Sequence, residues 1–250
     1  MAIDSRQLAI DNRRVPIHLK AEAGQVAPIV LLVGDPARAE RVAGLLDGCS
    51  QYNANRGLLG YTGSWDGIRL SVQTTGMGGP SAAIVVEELA DLGAATVIRL
   101  GTCGAVGEGV GVLDLVIATG AVPLDGATRQ YVKADPFAPV ATFDVTRALV
   151  KAAASVSRTA HTGLLVSEDA FYRQPDDWQT WARRGVLAVE MEAATIFTVA
   201  LHRRIGAGAV CLVVDRVGAR DSWASDTEIA NATTDLIAVG LDAVVRLARG

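Results

Sequence analysis

Charged and polar residues follow several apolar runs of the chain, where a strand of an α/β protein would open onto a ligand. Arg99 lies inside the apolar run 95–101, and a buried guanidinium needs a planar partner such as a phosphate or a carboxylate. Thr102 and Gly104 follow at the predicted carboxyl end of that strand, where open α/β sheets bind their ligands. The residues alone leave two partners open for Arg99: a bound anion or a glutamate of the core.

Two further arginines stand beside glycine turns. In the segment VGDPAR, Gly34 follows the apolar run 29–33, and the backbone N–H groups of the next helix would suit an anion. Arg38 would lie in the first turn of that helix, where the helix dipole disfavours a cation unless an anion is bound. Arg56 precedes the glycine-rich segment 57–63. A solvated arginine beside a turn is the alternative in both places.

Two carboxylates interrupt the apolar run VLAVEMEAATIF at Glu190 and Glu192. Buried carboxylates are costly unless something pairs with them. Residues two apart share one face of a strand but lie on different faces of a helix. The run is therefore predicted to be a strand, 185–190, that turns into a helix near Met191, which places both acids at the ligand-binding edge of the sheet.

An acid and an aromatic pair could act on a planar ligand. Asp215 ends the apolar run 208–214 and could serve as a general acid, although pairing with Arg216 or capping a turn is as common. Phe171 and Tyr172, in the segment SEDAFY, could stack on a ring, although core packing is the commoner role.

Short apolar runs alternate with amphipathic stretches along the chain, which is typical of a mostly parallel sheet covered by helices on both faces. We predict one α/β domain over residues 1–250. Strands are predicted at 29–33, 68–75, 95–101, 113–119, 161–166, 185–190 and 208–214. Helices are predicted at 36–46, 80–93, 144–157, 191–204 and 226–248, with Asp35 capping the first and Ser225 with Glu228 forming a capping box on the last.

Composition argues against several classes of protein. The net charge of −4 gives no basic surface for nucleic acid, and the longest uncharged stretch, 70–86, is broken by glycines and a proline, so no membrane span is expected. The N-terminal residues contain no apolar core of a signal peptide. No GxGxxG motif indicates a dinucleotide. Cys49, Cys103 and Cys211 are scattered, so no disulfide framework or zinc site is expected and a reducing cytoplasm fits. His18, His161 and His202 are also dispersed, so no structural or catalytic metal is expected.

Seven segments, taken together, resemble the nucleoside phosphorylases of the bacterial hexameric kind. That family also holds uridine phosphorylase and the methylthioadenosine-processing enzymes. The segments run in the family's order over residues 18–220: HLKAEAG, GDPARAERVA, NRGLLGYTG, TTGMGGPSAAIVVEEL, VIRLGTCGAV, SEDAFY and VEMEAATIF. The resemblance implies a mixed, mostly parallel central sheet flanked by helices.

The resemblance also implies a reaction: inorganic phosphate attacks C1′ of a nucleoside and the free base leaves, through a transition state like an oxocarbenium ion. Phosphate is a co-substrate, and no cofactor is expected. The implied phosphate site comprises Gly34, Arg38, Arg56, Arg99 and Thr102. In the family, the arginine that matches Arg56 comes from a neighbouring subunit, so a homo-oligomer of dimers that share sites, a hexamer, is expected.

Around the nucleoside, the resemblance implies five residues and an acid. Glu192 would hold the 2′- and 3′-hydroxyls, His18 of the neighbouring subunit would contact the 5′-hydroxyl, and Phe171 would pack on the base. Asp215 would protonate purine N7. The implied nucleoside site comprises His18, Met77, Phe171, Met191 and Glu192.

Two departures from the family's pattern bear on the base. A helical arginine assists the acid in the purine enzymes, but Glu228 occupies that position here, so Arg216 or Arg220 is a candidate replacement, or proton donation works differently. Uridine phosphorylases read uracil with a Gln and an Arg in a longer insertion, whereas here Arg173 and Gln174 lie in the short segment RQPDDW. The expected function is purine nucleoside phosphorylase; the alternatives are uridine phosphorylase and methylthioadenosine phosphorylase or nucleosidase.

Overall fold

A computed structural model describes residues 16–133, 135–172, 178–219 and 222–250. The strands in this part of the chain are β1 (Ile29–Val33), β2 (Asp47–Asn53), β3 (Gly60–Trp65), β4 (Ile68–Thr74), β5 (Thr96–Ala105), β6 (Leu115–Pro123), β7 (Ala160–Ser167), β8 (Val186–Glu190) and β9 (Gly206–Arg216). The α-helices are α1 (Pro36–Ala43), α2 (Gly79–Asp91), α3 (Gly126–Val132), α4 (Phe143–Ala153), α5 (Trp178–Arg183), α6 (Ala193–Arg203) and α7 (Asp226–Arg249). A short 3₁₀ turn covers Asn55–Gly57.

The strands form one sheet in the order β2-β3-β4-β1-β5-β8-β7-β6-β9. Because β9 also pairs with β5, the strands β5, β8, β7, β6 and β9 close into a ring, and β1, β4, β3 and β2 extend from it as a wing. Pairings β1–β4, β1–β5, β5–β9, β6–β7 and β7–β8 are parallel, and the other four are antiparallel. The predicted mixed, mostly parallel sheet flanked by helices is confirmed; its closure into a ring was not predicted.

The helices cover both faces of the sheet. One apolar cluster joins α2 and α6 to the sheet around residues such as Leu89 and Phe197. The other joins α1, α4 and α7 around Val42, Leu149 and Leu236. These two layers hold the strand ends in fixed positions, which is what a ligand site at the sheet edge requires.

The caps predicted from the sequence are confirmed. The Asp35 side chain accepts a hydrogen bond from the backbone N–H of Ala37 at 2.9 Å, at the start of α1. Ser225 and Glu228 form the capping box of α7, with the Ser225 N–H donating to Glu228 Oε2 at 2.9 Å. Hydrogen bonds from Ser225 lower the pKa of Glu228, so this carboxylate is used as a cap.

The sequence did not predict β2, β3, α3 or α5. Strand β2 has the sequence DGCSQYN and a largely exposed face, so neither its composition nor an alternating pattern marks it as a strand. It forms because β3 pairs with it along its length. The predicted helix 36–46 ends at Ala43, because the chain then turns at Gly44 towards β2.

Candidate active site

A cleft of about 820 Å³ lies where the carboxyl ends of β1, β5, β8 and β9 meet. Ligand-binding clefts of α/β proteins are expected at this edge. Nine of the eleven site residues predicted from the sequence line it: Gly34, Arg38, Met77, Arg99, Thr102, Phe171, Met191, Glu192 and Asp215. The other two, His18 and Arg56, are not among its lining residues.

Arg99 of β5 is buried between two carboxylates. Its Nη2 forms a close ion pair with Glu192 Oε2, and its Nε lies 2.9 Å from Glu190 Oε2. The Nε–H does not point at that oxygen, so the second contact is an ion pair without a hydrogen bond. Burial lowers the pKa of Arg99, but Glu192 and Glu190 outweigh it and raise that pKa above its usual value. One positive charge therefore faces two negative ones at the centre of the cleft.

Glu190 holds the start of helix α6. Its carboxylate accepts hydrogen bonds from the backbone N–H groups of Glu192 at 2.9 Å and Ala193 at 3.0 Å, and from the Ser167 hydroxyl. The Ser167 oxygen in turn accepts from the Ala194 N–H at 2.9 Å. Burial raises the pKa of Glu190, and Arg99 opposes that shift. Glu190 therefore positions its neighbours, a role that the sequence left open.

Glu192 is the N-cap residue of α6 and is 4% exposed. Its Oε1 accepts a hydrogen bond from the Gly78 N–H at 2.6 Å, and its Oε2 pairs with Arg99. The carboxylate thus joins α6 to the loop before α2 and reaches the cleft beside Met191. A carboxylate held at both oxygens, with its remaining lone pairs facing a cleft, can accept hydrogen bonds from a ligand's hydroxyl groups.

Arg38 lies beside Arg99 in the cleft. Its Nη1 donates to the Leu100 carbonyl at 3.0 Å, while its buried Nε has no hydrogen-bond partner in the described part of the chain. Burial, followed by the charge of Arg99, lowers the pKa of Arg38. Gly101 allows this packing, because a Cβ there would lie 2.7 Å from Arg99 Cζ. Two adjacent guanidinium groups and an unused N–H donor favour an anion here.

Asp215, at the end of β9, lies at another wall of the cleft. Burial raises the pKa of its carboxyl, and among the residues described it makes no hydrogen bond. Gly104 of β5 lies against it. A Cβ at Gly104 would be only 2.7 Å from Asp215 Oδ1 and 2.8 Å from Val217 Cγ2, so glycine leaves the room that these side chains need. A carboxyl with a raised pKa and no hydrogen bond to the described part of the chain is suited to donating a proton to a ligand.

Arg216, one of the two candidates for assisting Asp215, binds backbone carbonyls in this structure. The Arg216 guanidinium donates to the carbonyls of Gly107 at 3.3 Å and Val110 at 2.6 Å, which ties it to the loop after β5. Arg220, the other candidate, lies outside the described residues, as do Arg173 and Gln174.

Aromatic side chains form much of the remaining wall. Phe171 is 59% exposed, and its ring centroid lies 5.0 Å from that of Tyr172 and 6.4 Å from that of Trp223. Trp178 and Trp181 of α5 line the cleft as well. None of these three tryptophans was predicted to belong to the site, because they lie in segments without a clear secondary-structure pattern.

His18 is held by helix α2. Its Nδ1 lies 2.8 Å from Glu88 Oε1, and the same carboxylate accepts from the backbone N–H groups of Ile17, His18 and Leu19 at 2.7–3.1 Å. Arg56 is exposed in the 3₁₀ turn, with a φ of 57°. Neither residue faces the cleft of its own chain.

The described ranges contain neither a metal-binding cluster nor a membrane-spanning helix. Among these residues, no cluster of three or more His, Cys, Asp or Glu side chains could hold a metal ion. Of the helices that the structure describes, none has the length and apolar character needed to cross a membrane.

Comparison with known proteins identifies the family. The model of the phosphorylase superfamily matches residues 28–246, so the chain belongs to that superfamily, as its sequence motifs predicted. A DeoD-type purine nucleoside phosphorylase of Geobacillus sp. (strain WCH70) is 38% identical over 92% of this chain and 99% of its own length. A guanosine phosphorylase of Halorubrum lacusprofundi is 39% identical (84% and 88%), and a uridine phosphorylase of Thermococcus kodakarensis is 37% identical (89% and 85%).

Proposed function

We propose that the chain is a purine nucleoside phosphorylase, a pentosyltransferase that converts a purine ribo- or deoxyribonucleoside and phosphate into free base and pentose 1-phosphate, reversibly. One observation carries the proposal. A single cleft holds a buried arginine beside a half-buried one, a carboxylate that can bind hydroxyl groups, and a separate carboxyl with a raised pKa. The relatives named as purine and guanosine phosphorylases support the choice of base.

In this proposal, phosphate lies against Arg38 and Arg99, with the Gly34 backbone and the Thr102 hydroxyl completing its contacts. The buried Nε–H of Arg38 supplies a donor that none of the described residues uses. The dianion would relieve the repulsion between the two guanidinium groups and would stand ready for attack on C1′. Holding two reactants in attack geometry removes much of the entropic barrier to such a displacement.

The sugar then lies over Met191, with its 2′- and 3′-hydroxyls donating to Glu192. As the bond to the base breaks, positive charge develops on the ring oxygen and C1′, and the anionic surroundings of the bound phosphate stabilise it. Asp215 delivers its proton to N7 of the leaving purine, which prevents negative charge from accumulating on the base. The raised pKa of Asp215 increases the fraction of the acid form.

His18 and Arg56 are proposed to serve the cleft of a neighbouring subunit. This is supported by their positions away from the cleft of their own chain and by the contacts with Glu88 that hold residues 17–19 in place. The assembly would be a closed homo-oligomer of dimers that share sites, a hexamer. We also propose a cytoplasmic enzyme that needs no cofactor beyond its co-substrate phosphate; its three cysteines are free.

The test is a panel of inosine, guanosine, adenosine and uridine, each with and without phosphate. We expect base release from the purine nucleosides only with phosphate, with stoichiometric formation of pentose 1-phosphate. Equal release in phosphate-free buffer would identify a nucleosidase instead. The second candidate, uridine phosphorylase, is favoured by the Thermococcus relative and predicts that uridine is the best substrate of the panel.

A further inference from the structure

Tryptophan is concentrated at one cleft of this protein. The chain has four tryptophans, and three of them, Trp178, Trp181 and Trp223, line the proposed active site. The fourth, Trp65, lies at the end of β3 and packs against the other side of the sheet, in the cluster with α1, α4 and α7. Tryptophan supplies a large flat apolar surface, and such concentration in a ligand cleft points to what the ligand presents there.

One side of the cleft, here called the tryptophan wall, is formed by Trp178, Trp181, Val217 and Gly218. It begins next to Asp215. Val217 and Asp215 both pack on Gly104, and the next residue, Gly218, lies under Trp178, where a Cβ would be 2.8 Å from Trp178 Nε1. A continuous path of contacts therefore leads from the carboxyl of Asp215 over Val217 and Gly218 to the indole of Trp178.

The tryptophan wall packs against the apolar core of the protein. Trp178, Trp181 and Val217 pack on a cluster of three buried valines, of which one belongs to β7, one to β8 and one directly follows β5. Val189 of β8 belongs to the same cluster and also lines the cleft. The indoles are thus backed by the strand ring, so they present a surface that is already formed before a ligand arrives.

We infer that this wall receives an apolar substituent at position 6 of the purine, such as an N6-alkyl or N6-arylmethyl group. The inference rests on the proposed function, because it takes the orientation of the base from Asp215. N7 and the group at position 6 lie on the same edge of a purine. An acid at N7 therefore directs the 6-substituent along Val217 and Gly218 towards Trp178. A bare oxo or amino group would leave the indoles facing water, whereas an apolar substituent would cover them.

The test compares N6-benzyladenosine with adenosine as substrates in the presence of phosphate. We expect kcat/KM for N6-benzyladenosine to equal or exceed that for adenosine. Trp178→Leu is expected to lower the ratio of the two kcat/KM values about tenfold, as the loss of an apolar contact in a specificity pocket does. Trp65→Leu is the matched control, and its ratio should be that of the unmodified protein.

A binding measurement separates this inference from the proposed function. N6-Benzyladenine should quench the tryptophan fluorescence of the protein at lower concentration than adenine does, and Trp178→Leu should remove that advantage. Quenching without any phosphorolysis would refute the proposed function while supporting the wall as a binding surface. Turnover of adenosine without turnover of N6-benzyladenosine, or an equal ratio in the Trp178 and Trp65 variants, would refute the inference.

Discussion

Arg99, which is proposed to bind phosphate, and Glu192, which is proposed to bind the sugar, form an ion pair with each other. The two proposed substrates are therefore bound by partners whose charges depend on one another. The Glu192 carboxylate neutralises Arg99 and is also proposed to accept hydrogen bonds from the sugar hydroxyls. Removing its charge should therefore weaken nucleoside binding without weakening phosphate binding.

Glu192→Gln tests this relationship. We expect KM for the nucleoside to rise by about tenfold to a hundredfold, since a hydrogen bond to a charged acceptor contributes roughly 1.5–3 kcal/mol. KM for phosphate should stay equal or fall, because Arg99 loses a competing anion. Initial rates with each substrate varied separately give both constants. A rise in KM for phosphate as large as that for the nucleoside would contradict this account.

Ser167→Ala tests the support beneath this pair. The hydroxyl donates to Glu190 and accepts from the Ala194 N–H, so its removal leaves a buried carboxylate oxygen and a buried N–H each without one partner. The free energy of unfolding, measured with urea, should fall by about 1–3 kcal/mol. Ser50→Ala, on the exposed part of β2, is the control and should change it by less than about 0.5 kcal/mol. Equal losses in the two variants would contradict the role of Ser167.

Asp215 predicts a dependence of activity on pH. Burial raises its pKa, and the acid form is the proton donor, so kcat/KM for purine nucleosides should fall as the pH rises through that raised pKa. Asp215→Ala should lower purine turnover by about a hundredfold to ten thousandfold and remove that limb of the pH profile, with KM for phosphate little changed. An unchanged profile would show that another group donates the proton.

The raised pKa of Asp215 also makes stability depend on pH, in the opposite direction from the lowered pKa of a paired carboxylate. Because the pKa of Asp215 is raised in the folded protein, folding is disfavoured at a pH above that pKa and unaffected below the pKa of the unfolded chain. Asp215→Asn should therefore unfold at higher urea concentration than the unmodified protein at neutral pH. That advantage should shrink as the pH falls through the raised pKa and disappear below the unfolded pKa. An advantage that is independent of pH would contradict this.

Shared sites predict complementation between two inactive variants. Arg56→Ala should disable the neighbour's cleft, whereas Asp215→Ala disables its own. In a mixed dimer, both changes fall on one cleft and leave the other intact, so unfolding and refolding the two variants together should restore activity. A dimer population formed at random is half mixed, so about a quarter of the unmodified activity should return when each intact cleft works independently. No recovery would show that Arg56 acts in its own chain.

Much of the fold and of the site followed from local sequence patterns. The apolar runs around Arg99 and Asp215 predicted strands, and the helix caps at Asp35 and Ser225 were visible in a few residues. Nine of the eleven site residues that the family resemblance implied line one cleft. What could not be predicted depends on partners distant in sequence: β2 is a strand because β3 pairs with it, and Glu190 is a positioning group because Ser167 and the start of α6 meet it.

The tryptophans and the contacts of Arg216 also depend on partners that are distant in sequence. Nothing near Trp178 indicates that it will lie on Gly218, some 40 residues later. Arg216 is adjacent to Asp215 in sequence, yet its guanidinium binds carbonyls of the loop after β5. One signal was available for Ser167. It directly follows the predicted strand 161–166, at the same edge of the sheet as Thr102 and Asp215.

The closure of the strands into a ring bears on how the protein folds. Arg99 and Asp215 stand on β5 and β9, whose parallel pairing joins segments about 110 residues apart in the chain. Contacts between such distant segments form slowly, because a long loop must be ordered before they are gained. The cleft thus has no complete form until the last strand has been synthesised and inserted, and recovery of ligand binding during refolding will report the closing of the ring.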